Sequence, residues 1–275
     1  MVVATLGVSL VLQWRKEHCL QGSVSAFYYT PVHSVFIAAL GLIGLALVAI
    51  RGATWLRETL LNIAGFLAPV VAFVPTGRPS LTGLRCAIDP AIGTIPSAFS
   101  DNNLRAFIIG GVGALLLVLG PVVFKHKDPK GAKSWVRKET VGPMLGAAFV
   151  LVGLVVWRKK WPASFKVHAH SYSAILMFAL AGIFVIATAR SASGILRVAY
   201  YACATLMGVG FVVGIVFRHG YYVVLVVEII ESVAFVTFWI IQSIELWEKG
   251  IDIIEPAPPP PPAAVATLDS QPAPG

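Results

Sequence analysis

Between Pro31 and Leu246 the chain is a ladder of apolar runs, with its charges collected between the rungs. Each run is roughly 17–26 residues, enough to cross about 30 Å of hydrocarbon as a helix rising 1.5 Å per residue. The runs lie near 31–50, 58–76, 105–124, 141–157, 169–189, 196–217 and 221–246. Lipid cannot satisfy an open backbone, so a run of this length has to fold as a helix. The expectation is an all-α polytopic transmembrane helix bundle with seven full spans. A run at 2–13 is too short to cross and reads as a short N-terminal hydrophobic helix or the tail of a longer span.

Composition agrees. Only 12% of residues are charged and 57% are hydrophobic, where a soluble domain carries about 25% charged residues. The net charge of +8 sits in short loops, where Lys and Arg contact headgroups and fix topology. No basic region interleaved with aromatics points to nucleic acid. Trp14, Trp55, Trp135, Trp157, Trp161 and Trp247 fall at ends of runs, and Trp239 falls inside one. Indole rings favour the membrane interface, which supports the boundaries. Gly142-x-x-x-Gly146 and Gly210-x-x-x-Gly214 have the spacing that lets helix backbones approach closely.

If the short first run counts as a crossing, the loops alternate sides with nearly equal basic charge. The densest basic cluster, at 125–138, places that loop and the C-terminal tail in the cytoplasm. Residues 1–253 form the helical domain. The segment 254–275 contains a proline run at 258–262 and too little apolar periodicity to pack, so a disordered Pro/Ala-rich tail is expected. Cys19 and Cys86 then share the outer side, where thiols oxidise, and a Cys19–Cys86 disulfide is expected. Cys203 lies inside a run and reads as core.

Polar residues inside the membrane are the candidate site. Glu228 and Glu231 lie in the last run, with Gln242 and Glu245 continuing a stripe at helical spacing. Packing, proton relay, substrate binding and metal ligation are all open for them. His168 and His170 open another run. Residues two apart do not share a helix face, so this pair can chelate only from an extended segment. His33, His219, Tyr28 and Tyr29 gather toward the same outer side, and with Glu228, Glu231, His168 and His170 they form the candidate ligand-binding set. Zinc needs three or four ligands at about 2 Å. The spacing announces no such site, and neither metal nor cofactor is expected.

The segment Gly22-Ser-Val-Ser-Ala-Phe-Tyr-Tyr-Thr-Pro31 resembles a motif of uncharacterised bacterial multi-pass membrane proteins common in actinobacteria. Leu61-Asn-Ile-Ala-Gly65 with Val74-Pro-Thr76, the helix start from His168 to Phe178, and the last run ending Trp247-Glu-Lys-Gly250 are similar to the same group. The resemblance covers 20–76 and 168–250 and implies that the family's final acid corresponds to Glu228. Residues 105–158 depart from it and read as an inserted helix pair. The resemblance implies a bacterial plasma-membrane location and supplies no activity. A weaker comparison is the alkaline ceramidase and receptor-hydrolase superfamily of seven-span zinc hydrolases, whose final-span His-x-x-x-His pair this chain lacks.

Nucleophilic triads and phosphate loops are missing as recognisable patterns. Gly110-Gly-Val-Gly113 lies in an apolar run without the Lys and Ser/Thr of a phosphate loop. The expectation is a non-enzymatic accessory subunit or a lipid- or amphiphile-binding bundle. Its partners would be membrane lipids and a protein partner in a membrane complex, with no nucleic acid. The alternatives are a small proton-coupled transporter using Glu228 and Glu231, and an intramembrane zinc hydrolase.

Overall fold

The computed structural model describes residues 2–49, 54–76, 97–124, 138–217 and 220–252. Among them are eight α-helices: α1 (Val2–Glu17), α2 (His33–Ala49), α3 (Trp55–Phe73), α4 (Ser97–Phe124), α5 (Lys138–Lys160), α6 (Pro162–Ser191), α7 (Gly194–Val216) and α8 (Val223–Asp252). A short 3₁₀ turn, Ser25–Tyr29, precedes α2. Every described helix corresponds to a run expected from the apolar pattern.

Among the described residues four helices are long and apolar enough to cross a membrane: α3, α6, α7 and α8 through Trp247. These four make the chain a helical membrane protein. Helix α2 is apolar but has 17 residues, about 25 Å of rise. Helix α1 has 16 residues, about 24 Å, and packs on α2.

Local chemistry sets the ends. Thr54 is extended and its hydroxyl accepts from Arg57 N–H at 3.4 Å, an N-cap for α3. Pro162 follows Trp161 and opens α6, since proline is tolerated where the N–H has no helical partner. This start is earlier than the hydropathy pattern indicates. His168 and His170 therefore sit in the second and third turns of a helix, not at its opening. The turn from α6 to α7 passes through Gly194 at φ +55°, a left-handed conformation open to glycine. There Arg197 Nε donates to Ala192 O at 2.7 Å.

Helix α3 is the hub, packed against α2, α4, α5 and α6. Its apolar stretch is 61% buried, against 22% in both α7 and α8, so those two present most of their surface outward. Two glycines make the α2–α3 crossing. A Cβ added at Gly44 would lie 2.7 Å from Gly65 O, and one at Gly65 equally close to Gly44 O. Gly146 brings α5 against Ile63 and Thr59 of α3. The Gly210/Gly214 spacing seats α7 on α8, with Glu231 and Ile230 over Gly210 and Val227 over Gly214. Phe238 of α8 packs edge-on against Phe184 of α6 and tilted against Tyr200 of α7.

The chain divides into two compact units, Met1–Trp239 and Ile240–Gly275. In the second, the described residues are helical to Asp252, with Ile244, Leu246 and Trp247 exposed. Gln242 and Glu245 belong to this unit. The expected tail, the basic loop at 125–137, Trp135, Cys86 and His219 lie outside the described residues.

Candidate functional site

The segment 22–32 folds back on itself because its small polar side chains satisfy its own backbone. Ser23 Oγ accepts from Ala26 N–H at 2.9 Å, and Thr30 Oγ1 donates to Phe27 O at 2.7 Å. Thr30 is extended, as a residue before proline prefers, and the chain then enters α2. All five residues of the 3₁₀ turn are buried. Tyr28 meets His33 edge-on with ring centres 4.2 Å apart, and Tyr29 and Phe36 pack against it as well. Burial, with a smaller contribution from Tyr29, pushes the Tyr28 hydroxyl up to about 12. His33 Nδ1 lies 2.8 Å from Tyr28 O. A carbonyl only accepts, so Nδ1 carries the proton.

The C-terminal end of α3 is closed from three directions. Helix ends leave carbonyls without partners. Here Ser100 Oγ of α4 donates to Phe73 O at 2.6 Å and His170 Nδ1 of α6 to Val74 O at 2.7 Å. Tyr29 Oη donates to Thr76 O at 2.6 Å. His170 is thus a buried structural donor in its Nδ1–H tautomer. His168 is exposed and stacks on Tyr172, with planes 11° apart, while Tyr172 stacks on Trp157. The helical segment points the two histidines different ways and rules out the extended chelating arrangement. Among the described residues no group of three His, Cys, Asp or Glu is placed to hold a metal.

The N-terminal end of α8 clamps the same knot. Glu228 accepts from Val24 N–H at 2.5 Å and from Ser25 Oγ at 2.8 Å. Leu225 N–H donates to Gly22 O at 3.0 Å. A Cβ at Gly22 would meet Tyr221 O at 2.9 Å, so glycine permits this approach. Glu231 differs. It is 1% exposed, and among the described residues neither carboxyl oxygen has a hydrogen-bond partner. Its Oε1 lies 2.8 Å from where a Cβ on Gly210 would stand. The two acids therefore do not act as one stripe: Glu228 is tied to the Gly22–Pro31 segment, and Glu231 faces the α7–α8 seam.

At the mouth of that seam is a groove of about 580 Å³, lined by Val213, Val216 and Phe217 of the α7 end and by Tyr221, Tyr222 and Val226 of the α8 start, among others. Tyr221 and Tyr222 meet edge-on at 4.7 Å and are both exposed.

Other polar links escaped sequence reasoning. Arg158 of α5 pairs with Asp101 of α4 at 2.7 Å. At the far end of α3, Arg57 donates to Ala187 O and Ser191 Oγ of α6. Asn62 Nδ2 donates to Glu58 O at 2.8 Å, one turn back along α3. Cys19 is disulfide-bonded and Cys203 is a free buried thiol. Chemically, the knot binds backbone to backbone through side chains. No protein-family model, curated protein or solved structure matches the chain.

Proposed function

We propose that this chain is a non-enzymatic integral protein of a bacterial plasma membrane that binds a small amphiphile from the bilayer. Its seven longer helices cross the membrane, α1 lies beside them, and the C-terminal tail is cytoplasmic. The resemblance of the Gly22–Pro31 segment to actinobacterial multi-pass proteins belongs to the same proposal, as does a Cys19–Cys86 disulfide on the outer side. The observation that carries the reading is the groove between α7 and α8. Its volume and apolar lining suit an alkyl chain, and two exposed tyrosines at its rim offer hydroxyls at headgroup level. The outward faces of α7 and α8 supply the route from lipid.

The test is lipid analysis of the full chain extracted with its surrounding bilayer in polymer nanodiscs. A stoichiometric amphiphile should be enriched over the bulk lipid and lost when Val213→Trp fills the groove. Enrichment no greater than the bulk composition, in both proteins, refutes the reading.

Glu231 favours a second reading, a proton-coupled carrier, because an unpartnered carboxyl buried in a helix seam is the group such a carrier needs. Unchanged transport in Glu231→Gln vesicles refutes that alternative. The zinc-hydrolase alternative draws no support from His168 and His170, which diverge.

A further inference from the structure

The outward face of α5 carries one apolar strip. Leu145, Phe149, Val152 and Val156 are all exposed. They recur at steps of four, three and four residues, so they share one helix face within about 60° of arc. From Leu145 to Val156 the strip rises about 17 Å, close to one leaflet of a hydrocarbon core about 30 Å thick. It ends in charge. Lys159 and Lys160 stand three and four residues beyond Val156, on either side of the strip's line, and both are exposed.

The charges nearby do not answer these lysines. Arg158 lies on the opposite face of α5 and pairs with Asp101 of α4 at 2.7 Å, so that carboxylate is taken. Among the described residues Lys159 and Lys160 have no ion pair. Lys160 Nζ lies 4.8 Å from the centre of the exposed Trp161 ring, which holds the ammonium at the corner between α5 and α6. Trp157 fixes that corner. Its Nε1 donates to Ser164 Oγ at 3.3 Å, and its ring packs on Phe165 and Tyr172. A strip one leaflet long, headed by two uncompensated cations and an interfacial indole, is complementary to a lipid with an acyl chain and a net negative head. A zwitterionic head would bring its own cation against the lysines.

We propose that this strip seats one anionic phospholipid, its phosphate between Lys159 and Lys160 and an acyl chain along Val156, Val152, Phe149 and Leu145. The inference goes beyond the groove reading, since none of these residues lines the groove. It shares with that reading only the placement of α5 across the membrane.

The experiment uses the full chain in phosphatidylcholine nanodiscs and two trace probes, phosphatidylglycerol and phosphatidylcholine, each with a diazirine in its acyl chain. Cross-linked positions are mapped by mass spectrometry. Phosphatidylglycerol should label residues 145–160 about tenfold more than phosphatidylcholine, the order that two lysines at a headgroup supply. Lys159→Gln/Lys160→Gln should bring phosphatidylglycerol down to the phosphatidylcholine level, and Lys159→Arg/Lys160→Arg should keep the preference. Arg15→Gln/Lys16→Gln removes the same charge from the exposed end of α1 and should leave the preference unchanged. Equal wild-type labelling by both probes, or a preference that survives Lys159→Gln/Lys160→Gln, overturns the inference. So does an equal loss in the α1 variant, which would report surface charge alone. Loss of the preference to inorganic phosphate at constant ionic strength would assign the lysines to a free anion and overturn the lipid. No labelling of 145–160 by either probe overturns the membrane placement of α5 as well, and leaves the groove to its own measurement. If the double glutamine variant does not fold, Lys160→Gln and the wild-type ratio decide.

Discussion

Replacing Glu228 by alanine takes away the acceptor of two donors from a segment about two hundred residues earlier in the chain. Val24 N–H, at 2.5 Å, is fixed by the backbone, whereas the Ser25 hydroxyl, at 2.8 Å, can turn. A buried donor left unmet costs about 1–3 kcal/mol, and hydrogen bonds to a charged group contribute about 1.5–3 kcal/mol. Because Ser25 can reorient, the loss in Glu228→Ala should be about 2–4 kcal/mol, nearer one full bond plus a fraction than two. At about 2–4 °C per kcal/mol for a chain near this size, Tm should fall by about 5–15 °C. Glutamine separates hydrogen bonding from charge. Its carbonyl oxygen can take the Val24 N–H while its amide donates to Ser25 Oγ, so Glu228→Gln should lose less than about 1 kcal/mol. Thermal unfolding in detergent gives the ordering, and hydrogen exchange over residues 22–30 locates it: exchange there should rise in the alanine variant alone. A glutamine variant as unstable as the alanine one, or an alanine variant within about 0.5 kcal/mol of wild type, refutes the argument.

Gly44→Leu should destabilise by more than about 3 kcal/mol, since its Cβ would lie 2.7 Å from a backbone oxygen that cannot yield, whereas Gly41→Leu on the same helix, with open space around it, should stay within about 0.5 kcal/mol; paired thermal melts check this. Tyr28, raised in the fold from 10.0 to about 12, favours the folded state fully below pH 10, and that contribution should be lost as pH rises from 10 through about 12. Alkaline unfolding should lose this dependence in Tyr28→Phe, and an unchanged profile would contradict the assignment. Peptide mapping without reduction should recover Cys19 joined to Cys86 and Cys203 alkylated; both Cys19 and Cys86 alkylated without reduction would exclude the pairing.

The helices were legible because lipid imposes length and apolarity on any crossing segment, and these are properties of consecutive residues. Their starts were less so. Helix α6 begins at Pro162, seven positions before its apolar run, because Ser164, Lys166 and His168 keep that turn polar while it is already helical. Proline at the first position was the available signal. The site divides the same way. The Gly22–Pro31 segment and Glu228 each stood out in sequence, the first by its aromatics and the second as an acid inside a span. Their junction did not, because what Glu228 binds is a backbone N–H and a serine, which carry no distinctive pattern. The three donors at the end of α3 were missed for a related reason. Their acceptors are the carbonyls of Phe73, Val74 and Thr76, and every residue has a carbonyl. His170 drew attention as a metal ligand, while the carbonyl it serves was invisible.

The two acids of α8 show what the fold adds to such a reading. Helical spacing puts Glu231 about 60° round from Glu228, close enough to suggest one shared environment. The helix lies between two different neighbours, and that angle is enough to separate them. Glu228 turns to a folded-back strip of backbone with free donors, so its carboxyl becomes an internal bond of the structure. Glu231 turns to α7 at Gly210, where the absent side chain leaves room but offers nothing to bind. Small residues that only permitted close packing elsewhere, as at Gly44 and Gly65, here leave a polar group unmet. On this helix that separates an acid held by bonds within the chain from one whose oxygens meet no donor among the described residues.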